Sequence, residues 1–359
     1  LKNCHAVDQI FYAVKANPNA QLVQHFNRLG LSFECVSLDE VQHVLALCPD
    51  IERRNILFTP NFAPREEYEH ALALNINVTL DNLYPLENWP ELFANSQLFV
   101  RIDTGQGYGH HKHVMTCGSG SKFGILLSEL ERLRKLVNRH NIKVIGLHAH
   151  SGSGILDAQA WQRVSLQLTE LLCDFPDATI INIGGGFGVV EKPGQKPLDL
   201  QAVNQSLAEI KAAHPTIRIW IEPGRFLVAH AGVLLAKVTQ TKQKGEMQFV
   251  GIETGMNSLI RPALYGAYHD IVNLTRLDEP KTQRVNIVGP ICETGDTLGY
   301  SRLIPKTQAG DVMLIANVGA YGYCMSSHYN LRTPAKEYYL ECAIQQQGDS
   351  SSQSVASSN

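Results

Sequence analysis

The sequence predicts an α/β chain, a (β/α)8 TIM-like barrel followed by an antiparallel β-rich C-terminal domain. Three observations carry that prediction. Eight short apolar runs recur between residues 10 and 223, with helix-like segments between them. The runs are apolar on both faces, as strands of a buried parallel sheet must be. After Gly224 the helical segments thin out and strand-like runs follow one another, the pattern of an antiparallel sheet. Eight regular units before any change of texture favour a closed barrel over an open, doubly wound sheet.

Taken in order, the barrel runs are IFYAVKA (10–16), LSFECVS (31–37), NILFT (55–59), NVTLD (77–81) and QLFVRID (97–103). VIGLHAH (144–150), IINIGGG (180–186) and IRIWIEP (217–223) complete the set. Helices are predicted over 20–29, 39–47, 65–74, 127–140, 157–173 and 199–213. The barrel is thus expected over 8–230. GVLLAKVTQTKQ (232–243), MQFVGIETG (247–255), RVNIVGP (284–290), GDVMLIANVG (310–319) and EYYLECAI (337–344) assign 231–344 to the β-rich domain. The tail QQQGDSSSQSVASSN (345–359) has almost nothing to bury and reads as disordered.

Composition narrows the function classes. The chain has 359 residues, is 44% hydrophobic and carries a formal net charge of -3, which gives no general pull toward nucleic acid or an anionic membrane. No run of about 18 apolar residues is present, so no spanning helix is expected. The eight cysteines (4, 35, 48, 117, 173, 292, 324 and 342) form no CxxC pair. Reduced thiols in a cytoplasm are the simplest reading. There is no signal-peptide pattern and no initiator Met, and a start in mid-element at Leu1 suggests a fragment.

The barrel assignment gives meaning to residues at strand ends, because barrel active sites form at the carboxyl ends of the strands. Lys15, Ser37, Asp81, Arg101, Asp103, His148, His150, Gly184–Gly186 and Glu222 all fall there. Lys15 either marks where a strand surfaces, its stem reaching for water, or offers an amine needed for chemistry. Gly184, Gly185 and Gly186 make either a tight corner or a cradle of backbone N–H groups for a small phosphate. Glu222 has Arg225 three residues on, which allows a structural salt bridge or a carboxylate that holds a cofactor's ring nitrogen protonated. His148 and His150 invite a metal reading, but no further ligand set supports it, and no metal is expected. The glycine-rich loop with His110, His111 and His113 reads as a solvated, mobile lid rather than a zinc site. Cys292 beside Glu293, after a Gly-Pro corner, reads as an exposed reactive pair, and Tyr321 and Tyr323 lie on a glycine-hinged loop.

In order, YAVKAN, HAHSGSG, GGGFG, EPGR, GMNSLIRPALY, GPICETGD and GAYGYCMSSHYN resemble the diaminopimelate decarboxylases. These are pyridoxal-phosphate enzymes of the alanine-racemase-like barrel group that includes ornithine and arginine decarboxylases. The resemblance covers roughly residues 8–335. It implies pyridoxal 5'-phosphate as cofactor, with Lys15 as its Schiff-base residue and His150 against the pyridine ring. Ser153, Gly185, Gly186, Glu222, Gly224, Arg225 and Tyr321 would surround the cofactor, Glu222 pairing with the ring nitrogen. Arg225, Arg261, Tyr265 and Tyr321 would bind the substrate, with Glu293 facing its distal ammonium. Cys292 would donate the proton that replaces CO2. A desolvated Lys15 is expected to have a depressed pKa. The implied reaction turns meso-2,6-diaminopimelate into L-lysine and CO2, and the implied assembly is a homodimer with shared active sites. Another basic amino acid as substrate, or a non-catalytic regulatory relative, are the competing expectations. The chain departs from the family at Thr294 and His328. The short region before Lys15 suits the decarboxylase part of a longer protein, such as a fusion with an aspartate kinase.

Overall fold

A computed structural model describes residues 4–105, 108, 109 and 120–340. The tail 345–359 and the histidines at 110, 111 and 113 lie outside the described residues.

The eight predicted barrel strands form. They are β1 (Gln9–Ala13), β2 (Ser32–Cys35), β3 (Ile56–Phe58), β4 (Asn77–Leu80), β5 (Gln97–Asp103), β6 (Lys143–His148), β7 (Ile180–Asn182) and β8 (Arg218–Ile221). Each pairs in parallel with the next. Ile10 of β1 stands opposite Ile221 of β8, which closes the ring. Phe11, Leu57, Phe99, Ile180 and Trp220, from five different strands, cluster inside it. The Phe99 and Trp220 rings stack with centroids 5.1 Å apart, and Phe11 lies 4.7 Å from Trp220. This aromatic plug fills the barrel and leaves its carboxyl-terminal mouth for chemistry.

The surrounding helices follow local signals. α1 (Ala20–Arg28) starts where Asn19 accepts from the Gln21 N–H, and it buries Val23 and Phe26. α2 (Leu38–Leu47) has Ser37 accepting from the Glu40 N–H while Glu40 accepts from the Val36 N–H at 2.7 Å, so both orphan donors are satisfied. α3 (Arg65–Ala73), α4 (Leu130–Arg139), α5 (Gln159–Glu170) and α6 (Leu200–Ala213) match the other predicted segments. Two short helices missing from the sequence reading, Tyr84–Asn88 and Pro90–Phe93, fill the unit between β4 and β5. Each begins with a proline in its first turn, where the missing N–H costs nothing.

Past the barrel, β9 (Leu234–Lys244), β10 (Met247–Ile252), β11 (Ile271–Asn273), β12 (Gln283–Val288), β13 (Thr297–Ile304) and β14 (Val312–Ile315) form one sheet ordered β11-β14-β9-β10-β12-β13. Its pairings are antiparallel except β10 with β12, which is parallel, so the sheet is mixed. β11 and β13 were not in the sequence reading; Gly299, Ser301 and Arg302 hide the alternation of β13. The strand expected over 337–344 does not form across the described residues 337–340. There Glu337 accepts instead from the side chains of Asn17 (3.1 Å) and Asn19 (2.6 Å), tying the segment to the loop after β1.

Candidate active site

β1 ends at Ala13, and Lys15 follows in the single turn Val14–Ala16. Asn17, which caps that turn, donates to the Gly319 carbonyl at 3.1 Å, and Ala16 accepts from the Tyr321 N–H at 2.8 Å. The lysine is therefore held between the barrel and the loop 319–325. Its Nζ donates to Glu34 Oε2 at 2.5 Å. Glu34 is 2% exposed and also accepts from the Thr59 hydroxyl. Burial lowers the Lys15 pKa, but Glu34, then Tyr321 and Glu222, more than offset it, and the amine stands above the ordinary lysine value. The depressed pKa expected from desolvation is thus corrected, because β1–β2 register puts a buried carboxylate beside the amine (Ala13 opposite Glu34).

That shift has a testable consequence. An amine must lose its proton before it attacks a carbonyl, and below its pKa the free fraction grows about tenfold per pH unit. Uptake of pyridoxal phosphate by cofactor-free protein should therefore speed up between about pH 7 and 9. In Glu34→Gln the raising charge is gone, the pKa falls, and the same rise should occur at lower pH. The growth of the visible absorbance band after mixing reads the rate. Coincident pH curves would show that Glu34 does not govern the amine.

Glu222 follows β8 and is 6% exposed. It accepts from Asn182 Nδ2 at 2.7 Å and meets His148 Nε2 at 3.2 Å. Burial by itself would raise its pKa, yet His148, Lys15 and His150 hold the carboxyl below its usual range, so it stays ionised. The suggested Glu222–Arg225 salt bridge does not form; each residue has other partners. His150 accepts from the Gly185 N–H through Nδ1 at 3.2 Å. Burial, then Arg101, push its pKa down to about 3, so the imidazole is neutral at physiological pH. The two histidines thus face different partners, and among the described residues no group of three or more His, Cys, Asp or Glu could hold a metal.

The glycine triplet is required by close approach. Gly184 and Gly186 have φ of +69° and +84°, which L-residues with a Cβ rarely adopt. A Cβ on Gly185 would meet the Glu222 carbonyl at 2.3 Å, and one on Gly186 the Gly152 carbonyl at 2.5 Å. Gly224 packs as tightly: its Cβ would meet those of Ala16 and Ala13 at 3.0 and 3.1 Å. Arg225 follows, buried, donating to Ser153 Oγ at 3.3 Å with its guanidinium 4.8 Å over the Tyr321 ring.

Arg225 is joined to the second domain. Arg261, 1% exposed on the turn Arg261–Tyr265, donates to Glu191 Oε1 at 2.9 Å and to His269 Nε2 at 3.1 Å. The same Glu191 oxygen lies 3.6 Å from Arg225 Nη1. The structure therefore brings Lys15, His150, Ser153, the glycines, Glu222, Arg225, Tyr321 and Arg261 to one mouth, with Tyr265 on the same turn as Arg261. Cys292 and Glu293 stand apart from them. Both are exposed, on a loop shaped by buried Asp296, which accepts from the Ile291 N–H at 2.7 Å. Among the described residues, the Cys292 N–H donates to Asn330 and Glu293 accepts from the Tyr329 hydroxyl at 2.7 Å. Glu34, Asn182, Glu191 and His269 were missed by sequence reasoning. For Glu34 the available signal was a charge inside an otherwise apolar run.

Comparison with known proteins bears out the fold and the family. The family of pyridoxal-dependent decarboxylases, pyridoxal binding domain, matches residues 2–229. A diaminopimelate decarboxylase from Methanothermobacter thermautotrophicus is 33% identical over 339 residues, covering 90% of this chain and 78% of that protein. One from Neisseria meningitidis is 35% identical over 350 residues, covering 92% and 83%. The crystal structure of diaminopimelate decarboxylase from Helicobacter pylori complexed with L-lysine superposes with a TM-score of 0.80 at 28% identity, covering 90% of this chain and 82% of that one.

The residues present fit pyridoxal phosphate. A primary amine, an ionised buried carboxylate and a neutral imidazole share the mouth. The buried Ser151 hydroxyl has no hydrogen-bond partner among the described residues, a donor suited to a phosphate oxygen.

Proposed function

The chain belongs to the diaminopimelate decarboxylase family of pyridoxal-dependent decarboxylases, and from that premise we propose that it converts meso-2,6-diaminopimelate to L-lysine and CO2. The observation that carries the substrate is the arginine pair. Arg225 and Arg261 converge on one carboxylate oxygen, that of Glu191. A site meant for a simple diamine tail would have no use for two buried guanidiniums beside the cofactor pocket; a substrate with a second amino-acid head would.

Pyridoxal phosphate, when bound, supplies the electron sink for the pair left behind as the Cα–carboxylate bond breaks. The chain's residues do the rest. Lys15 Nζ would hold the cofactor, and Glu34 Oε2 is placed to take the proton that this amine must lose. Glu222, ionised and oriented by His148 and Asn182, would keep the proton on the ring nitrogen. His150, neutral, would lie against the ring, with Ser153, Gly185, Gly186, Gly224 and Tyr321 lining the pocket. Arg225, Arg261 and Tyr265 grip the distal carboxylate and Glu293 balances the distal ammonium. The Cys292 thiol delivers the proton that takes the place of CO2.

Cys292 and Glu293 make their hydrogen bonds with their own loop partners, which supports a second chain as the source of these two groups. The working unit is then a C2 homodimer with two shared sites, in the cytoplasm. No described helix is long and apolar enough to cross a membrane.

The test offers the cofactor-loaded protein meso-diaminopimelate, L-ornithine, D-lysine, L-lysine and L-arginine separately and measures CO2. Release from meso-diaminopimelate well above the others is expected. Preference for ornithine or arginine would replace the substrate, and a visible cofactor band with no CO2 from any of them would make the chain a non-catalytic relative.

A further inference from the structure

We propose that Glu191 is a resident counter-anion in the carboxylate subsite, competing with the incoming substrate carboxylate for Arg225 and Arg261 and keeping its binding weak enough for release. The proposal rests on the reading above that this pair grips a substrate carboxylate.

Charge and donor accounting carry it. Two buried guanidiniums face one carboxylate, since Glu191 Oε1 is 2.9 Å from Arg261 and 3.6 Å from Arg225. The third neighbour brings no negative charge. His269 Nδ1 lies 2.8 Å from the Ala316 carbonyl and so carries the proton, leaving Nε2 to accept from Arg261. The cluster is thus one anion short. Its unfilled donors are explicit: Arg225 Nε and Nη1 and Arg261 Nε are buried without a hydrogen-bond partner among the described residues. One further carboxylate would satisfy them and bring the cluster to neutrality.

Glu191 also sits where it can yield. It opens an exposed turn, residues 192–197, in which Gln195 Oε1 accepts from the Glu191 and Lys192 N–H groups at 2.8 Å. The arginines, by contrast, are fixed in short helical turns at the mouth. A substrate carboxylate that reaches the unpaired donors of Arg225 enters the field of Glu191, 3.6 Å from Nη1. In a partly buried site, removing such a like charge should tighten binding by about tenfold or more.

The experiment uses the cofactor-loaded enzyme and two probes, pimelate, which has the seven-carbon dicarboxylate skeleton, and 1,5-diaminopentane, which has no carboxylate. Dissociation constants are measured for wild type, Glu191→Asp and Glu191→Gln by titration calorimetry. Pimelate should bind most weakly to wild type, more tightly to Glu191→Asp and about tenfold more tightly to Glu191→Gln, with 1,5-diaminopentane not tightened. For meso-diaminopimelate, KM should fall in Glu191→Gln and kcat should not rise. Pimelate binding that is unchanged or weaker in Glu191→Gln would make Glu191 a strut for Arg261 and overturn the proposal. So would an equal shift for both probes. If Glu191→Gln does not fold, Glu191→Asp decides: tighter pimelate sustains the proposal, and unchanged or weaker pimelate overturns it. Absence of CO2 release by wild type would refute the functional reading instead, while the order of pimelate affinities still decides the role of Glu191.

Discussion

Replacing Lys15 with Ala is expected to lower decarboxylation by on the order of 10⁴-fold or more. Borohydride reduction of loaded wild type is expected to fix pyridoxal phosphate to the peptide that contains Lys15. The size of the effect follows from what the amine does. In the proposed function it would be the covalent hold on the cofactor, and it stands at the mouth with Glu34 at 2.5 Å and with Glu222 and Tyr321 acting on its charge. The competing amine is Lys122, in the loop after β5. Its Nζ lies 5.2 Å over the Phe123 ring and 5.8 Å over the exposed Phe62 ring. Lys15→Ala should still fold, since the side chain is 38% exposed and leaves no sealed cavity. Label on Lys122, or turnover within tenfold of wild type in Lys15→Ala, would remove Lys15 from its role.

Much of this site could be read from the sequence because a barrel converts strand ends into a shared location. Lys15, His150, Glu222 and the glycine triplet each follow an apolar run, and closing the ring is enough to gather them. Arg225 and Tyr321 came with motifs next to those ends. What stayed hidden depends on register and long-range packing. Glu34 sits inside LSFECVS and reads as one polar residue of a strand; only the pairing of Ala13 with Glu34 aims it at Lys15. That omission reversed the expected direction of the lysine's pKa. Glu191 and Arg261 are 70 residues apart in different domains, and nothing local marks them as partners. In the second domain the sequence pattern found four strands. It lost β11, three residues long, and β13, whose Gly299 and Ser301 interrupt its apolar face. It also took every pairing as antiparallel, although β10 and β12 run the same way, because strand direction there is set by the chain between them.

The second large effect is expected at Cys292. Cys292→Ala should be nearly dead alone, as should Lys15→Ala, yet the two mixed after subunit exchange should regain activity. The reasoning is geometric. Cys292 is exposed and held by Asn330, and its neighbour Glu293 is held by Tyr329. If the proposed role holds, the thiol would protonate a carbon at the mouth from a second copy related by a two-fold axis. In a mixed dimer one site then has both lesions and the other has neither. With random exchange half the dimers are mixed, each with one intact site, so recovery should approach about a quarter of wild type. No recovery, with exchange confirmed by differently tagged chains, would put Lys15 and Cys292 of one chain in the same site.

Turnover of meso-diaminopimelate by the loaded protein in D2O, with CO2 quantified and the amino-acid product analysed by mass and chirality, tests the decarboxylation most directly. One CO2 per substrate is expected, and L-lysine with a single carbon-bound deuterium, delivered by the exchanged Cys292 thiol to the carbon that lost its carboxylate. Recovered diaminopimelate carrying deuterium with no CO2 released, or no lysine at all, would contradict it.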